Sequence, residues 1–102
     1  MDKKKSELIN NLKKFKEKNK FEKIYLFGSR ALGNPNKWSD VDLMIVSKKF
    51  NGKRILERSP ELYLKWDINY PVDFLCYTPE EFYKLSKKIS IVSEVIKESI
   101  EI

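Results

Sequence analysis

The chain has 102 residues, 41% of them hydrophobic and 35% charged, and a formal net charge of +6. That suffices for one domain with one modest core, burying roughly 60–70% of its unfolded surface, and it excludes wholesale disorder. With no histidine and one cysteine, Cys76, internal disulfides, ordinary zinc sites, imidazole acid–base chemistry and Ser-His-Asp or Cys-His catalysis are all excluded.

Any chemistry here must therefore run on carboxylates, hydroxyls, lysines or a hard metal ion. No apolar stretch approaches the ~20 residues of a membrane span. The opening MDKKKSELINNLKKF has the charge of a signal sequence but no apolar run after it. The expectation is a soluble cytoplasmic protein without a membrane partner. The charge is uneven. Residues 1–23 hold nine lysines and four acidic residues, net +5, and residues 24–102 hold 12 basic and 11 acidic residues, net +1. A solvated lysine-rich helix face accounts for this, with electrostatic steering of polyanions as the alternative.

Taken in chain order, Leu8, Ile9, Leu12 and Phe15 recur at helical spacing, which predicts an amphipathic helix over residues 3–18. Ile24–Phe27 reads as a short apolar strand closed by Gly28. Ser29–Leu32 is a helix-compatible turn ended by Gly33, and Asn34-Pro35-Asn36 is turn chemistry. Val41–Val46 reads as a second strand. The charged segment Lys53–Trp66 reads as helical, with Pro60 splitting it or starting its second piece. Val72–Tyr77 is a third strand. Thr78-Pro79-Glu80-Glu81 then opens a helix with the residues of a capping box. Helix continues to about Lys97 with a break near Ser90, and the final SIEI reads as an edge strand. Strands apolar on both faces predict a sheet covered on both sides, an α/β or α+β fold forming one domain over residues 1–102.

Polar residues concentrate at the strand exits. Asp40 and Asp42 are two apart, so they share a face at the mouth of the second strand, and Asp73 opens the third. If those strands are neighbours with aligned ends, three carboxylates converge and repel one another unless they share a proton or hold a divalent cation. Without His or Cys ligands that ion would be Mg²⁺, or Mn²⁺ in its place. Two ions among three carboxylates suit in-line displacement at phosphorus. Gly28-Ser29, at the exit of the first strand, lets backbone N–H groups and a hydroxyl approach an anion. Taken singly, a Gly-Ser turn, an Asp-x-Asp pair or one strand-end aspartate is ordinary. Their conjunction describes a nucleoside triphosphate site. It is neither a Walker A loop nor an EF-hand, whose defining residues are missing.

The run GSRALGNPNKWSDVDLMIV resembles the two-part signature of the polymerase β-type nucleotidyltransferases. The chain length and the segment VDFLCYTPEEF are most similar to the minimal single-domain branch, often encoded beside a HEPN-domain protein as a toxin–antitoxin pair. The resemblance spans about Ile24 to Phe82. It implies a small mixed sheet with helices packed on it, and transfer of a nucleoside monophosphate, AMP from ATP or another, to an acceptor hydroxyl. On that pattern Gly28 and Ser29 hold the β- and γ-phosphates, with Arg30 within reach. Asp40 and Asp42 bind metal, and Asp73 completes the second metal site and helps take the proton of the attacking hydroxyl. The implied acceptor is a macromolecule, a HEPN-type toxin protein above all, with RNA as another candidate. In that pairing the chain acts as antitoxin. One departure stands out, because Leu32 occupies a position where many relatives carry a second arginine.

Two other functions compete. The chain could neutralise a partner by direct contact without catalysis, or bind nucleic acid through its basic N-terminal helix. Apolar residues beyond what so thin a fold can bury point to a partner protein or a homo-oligomer. Trp38 is a candidate for base stacking or loop packing, and Lys53, Arg54 and Arg58 for an acceptor surface or a charged helix face. Cys76 alternates away from Asp73 into the core, and Tyr63, Tyr70, Tyr77 and Tyr83 form no constellation.

Overall fold

The computed structural model of the chain describes residues 3–33 and 40–102. The helical stripe of Leu8, Leu12 and Phe15 is buried on one side of α1 (Lys3–Asn19). Asn19, also buried, donates from Nδ2 to the carbonyl of Phe15 at 2.9 Å. Lys20 then adopts φ 55° and ends the helix. The Phe21 N–H returns to the Lys16 carbonyl, and its ring meets Phe15 edge-on at 5.5 Å, so a left-handed helix stop is locked by an aromatic contact.

Four strands follow: β1 (Lys23–Phe27), β2 (Val41–Val46), β3 (Val72–Tyr77) and β4 (Ile100–Glu101). They form one mixed sheet in the order β3-β2-β1-β4. β1 runs antiparallel to β2 and β4, and β3 runs parallel to β2. Both faces are covered, as the apolar strands require. Ile24, Leu26, Val41, Leu43, Ile45, Phe74 and Cys76 pack under α1 and Leu62. On the other face Tyr25 and Met44 meet Val92 and Val95, with Leu75, Tyr77, Phe82 and Leu85 at the margin. The mixed sheet sandwiched by helices agrees with the fold class expected from sequence.

Short elements span β2 to β3. Two 3₁₀ turns, Lys48–Phe50 and Ile55–Glu57, precede α3 (Ser59–Lys65), whose first turn holds Pro60. The proline starts the second helical piece. The charged helix face read from sequence is corrected at Arg58, which is buried at 6% exposure. Its Nε donates to the Lys53 carbonyl and Nη1 to the Cys76 carbonyl, and the two Nη groups pair bidentately with the Glu81 carboxylate at 2.6 and 3.1 Å. Lys53 pairs with Glu61 and Arg54 with Glu57 on the surface. Hence the three cations are held by acidic neighbours.

Helices α4 (Pro79–Ser86) and α5 (Ile91–Lys97) close the fold. Thr78 Oγ1 accepts from the Glu81 N–H while Glu81 Oε1 accepts from the Thr78 N–H, so the capping box is complete. The expected break falls at Ser90, which caps α5 in a second box with Ser93. β4 pairs with β1 as the predicted edge strand. Cys76 is buried, and burial pushes its thiol up to about 11, so it is a core residue and not a nucleophile.

Glu81 serves two partners at once, Arg58 and the α4 cap. Glu81→Ala is expected to cost roughly 2–4 kcal/mol, chiefly by stranding a buried guanidinium, less than full burial of both partners would give. Its carboxyl is held below the usual 4.5, first by the Arg58 hydrogen bonds. This contribution is complete above the unfolded carboxyl value and is lost as pH falls through the lower folded-state value. Urea midpoints measured below about pH 4.5 should therefore fall more steeply for wild type than for Glu81→Gln.

Candidate active site

β1 ends at Gly28 in a conformation, φ 77° and ψ −160°, that suits glycine. The next residues form the short turn α2 (Ser29–Leu32), in which the Ala31 and Leu32 N–H groups both return to the Gly28 carbonyl at 3.1 Å. Gly33, in the left-handed region, ends it and donates to the Ser29 carbonyl. Lys5 Nζ reaches the Ala31 carbonyl at 3.0 Å and ties α2 to α1. Leu32, at the departure from the signature, is exposed.

Gly28 is needed for space as well as conformation. A Cβ there would collide with Oδ2 of Asp42. The pairing that sets Phe27 opposite Asp42 brings the glycine backbone directly against that carboxylate. Across the parallel ladder Asp42 pairs in register with Asp73. Neighbours in register share a face, so the two carboxylates stand side by side, beyond Met44 and Leu75 on the same strands. Asp40 precedes β2 and is exposed, as is Asp73, whereas Asp42 is half-buried.

The electrostatics record this crowding. The Asp42 carboxyl is raised above its ordinary value, first by burial, then by the charge of Asp73, then by that of Asp40. A divalent cation would relieve all three effects, and an oxygen-only donor set suits a hard ion. Among the described residues, no three His, Cys, Asp or Glu side chains are gathered tightly enough to hold a metal ion as they stand. The register draws Asp42 and Asp73 together, and Asp40 stays outside the strand.

One hydroxyl at this cluster was missed from sequence. Tyr63, on α3, donates from Oη to Asp73 Oδ1 at 3.4 Å while its ring meets Phe74 edge-on at 5.0 Å. Its hydroxyl is raised in pKa by burial and then by the Asp73 charge. Starting α3 at Pro60 turns Leu62 into the core and leaves Tyr63 at the sheet edge, an outcome that needs the helix phase and not just its existence. Arg30 lies over the ring of Tyr70 at 4.3 Å. Trp38 and the Asn34–Asn36 turn lie outside the described residues.

Comparison with known proteins bears on the family and the fold. Residues 8–98 match the family model of the nucleotidyltransferase domain. A Haemophilus influenzae protein bearing the name protein adenylyltransferase MntA is 30% identical over 80 residues, covering 76% of this chain and 70% of its own length. A Methanocaldococcus jannaschii protein named for the same activity is 30% identical over 107 aligned residues, covering 94% of this chain and 99% of its own. Among solved structures, one from Sulfolobus solfataricus, named for nucleotidyltransferase activity, superposes with a TM-score of 0.53 at 23% identity. That match spans 79% of this chain and 61% of the other, and it bears on the fold alone.

The contact between Gly28 and Asp42 gives a double-mutant test. Gly28→Ala is expected to cost about 1–3 kcal/mol, from the positive φ and the collision together. Adding Asp42→Ala should recover the collision part and leave only the backbone penalty, read as a non-additive change in thermal midpoint. Asp42→Asn alone should leave the fold intact and raise the midpoint by a few degrees, because it removes a crowded charge whose cost is already reduced by solvent screening.

Proposed function

This chain belongs to the nucleotidyltransferase domain family, and we propose that it transfers AMP from ATP to a hydroxyl of a partner protein. The observation that carries the reading is the register pair Asp42–Asp73 set against the Gly28 backbone. The Gly28-Ser29 turn and Arg30 bind the triphosphate beside the Asp42 carboxylate, which a side chain at Gly28 would strike. Asp40, Asp42 and Asp73 are the residues that would hold Mg²⁺, or Mn²⁺ in its place. When bound, the ion neutralises charge on the phosphate oxygens and the leaving pyrophosphate. Asp73 accepts the proton of the attacking hydroxyl, and its exposure leaves the acceptor free to approach from solvent.

The names of the two relatives support a protein acceptor over RNA. The resemblance to the minimal branch further supports a HEPN-type toxin as that protein, in the cytoplasm, with this chain as its antitoxin. Leu56 and Leu64 are 89% and 88% exposed, on the segment that carries Tyr63, which favours an acceptor that docks by apolar contact.

The test uses nucleoside triphosphates labelled at the α-phosphate, Mg²⁺, the purified chain and an extract of its source cells. Label is expected on a protein, from ATP, with wild type. Asp73→Asn and Asp42→Asn should each reduce the rate by about 10²-fold or more. With a folded chain and no label on any protein or RNA, the reading fails in favour of a module that neutralises its partner by contact alone.

A further inference from the structure

We propose that Tyr63 is itself a nucleotide acceptor, so that the chain nucleotidylates its own α3. The inference rests on the reading of the preceding subsection and adds a substrate to the same site. Asp73 is the carboxylate assigned to receive the proton of the attacking hydroxyl, and the Tyr63 hydroxyl already donates to it. The two belong to one rigid unit, because the ring of Tyr63 is braced on Phe74, the residue next to Asp73 on β3. The contact of 3.4 Å is long for O–H···O. It holds the hydroxyl at the site while leaving it free to move onto phosphorus. At 45% exposure the side chain also has room to carry a bulky adduct.

The other tyrosines lack this placement. Tyr77 lies at the far end of β3, about 13 Å along the strand from Asp73. Tyr83 bonds to Lys87, Tyr25 is buried near Lys23 and Glu101, and Tyr70 lies under Arg30.

In the step, Tyr63 Oη forms a bond to the α-phosphorus and the bond from that phosphorus to the α–β bridging oxygen breaks. Pyrophosphate leaves, and the phenolic proton passes to Asp73. The product is a phenolic phosphodiester that covers Asp73 and stands where an external acceptor must enter. Self-modification therefore slows transfer to the partner.

The full chain is incubated with Mg²⁺ and ATP labelled at the α-phosphate, with and without extract of its source cells, then digested and mapped by mass spectrometry. One added nucleoside monophosphate is expected on the peptide holding Tyr63, and the labelled fraction should grow at the same rate after dilution, as transfer within one chain requires. Tyr63→Phe, which keeps the ring on Phe74, should lose the self-label while circular dichroism shows an unchanged fold. An adduct on a different residue, self-labelling that slows on dilution, or self-labelling retained in Tyr63→Phe overturns the proposal. Label on an extract protein with none on the chain overturns it and leaves the nucleotidyltransferase reading standing. Label on neither overturns both.

Discussion

The parallel register of β2 on β3 is the constraint on which the candidate site depends. Asp42 lies beside Asp73 only because Leu43 pairs with Phe74 and Ile45 with Cys76. A slip of one residue would turn Asp73 into the core under α1 and push Phe74 to the opposite face. Burial of Phe74 and Cys76 therefore opposes any slip by an odd number of residues. Pairing starts at the Val41 N–H, which donates to the Pro71 carbonyl at 2.8 Å just ahead of both aspartates. The apolar pattern that builds the core also fixes the carboxylates, so the repulsion recorded at Asp42 is carried by hydrophobic burial elsewhere in the same two strands.

Gly28 shows how closely strand exit and carboxylate are fitted. In sequence, a glycine before a serine at a strand end signifies close backbone approach to something external. In the fold, the nearest neighbour is the chain's own Asp42. The turn and the carboxylate form one surface, in which the Gly28 backbone lies directly against the Asp42 side chain.

Much of this was legible in one dimension. Short apolar runs placed β1, β2 and β3, helical spacing placed α1, and cap chemistry at Thr78 and Glu81 placed the start of α4. The three aspartates and Gly28 stood out together at the exits of apolar strands, and the fold brings Asp42, Asp73 and Gly28 to one place while Asp40 stays outside β2. Long-range pairing was not legible. Arg58 reads as one more surface cation, yet its partner Glu81 lies 23 residues away and is itself engaged in a local cap. Nor could Tyr63 be tied to Asp73, since the contact depends on helix phase after Pro60 and on β3 being an edge strand. A pattern reports which face a residue takes. It does not report what the neighbouring element brings to that face.

The strand order also grades the contacts of the site by their separation along the chain. β1 and β2 pair antiparallel across a short connection, so Gly28 and Asp42 meet through contacts close along the chain. Asp73 arrives only after the chain has crossed through α3 to lay β3 parallel to β2, a slow, non-local closure. The last pairing brings β4 back to β1, where the Ile102 N–H donates to the Ile24 carbonyl. A chain cut before β3 would therefore carry the turn and the second-strand aspartate in its sequence and lack the third carboxylate. The register pair of Asp42 with Asp73 is a property of the finished fold, and no fragment that ends before β3 can carry it.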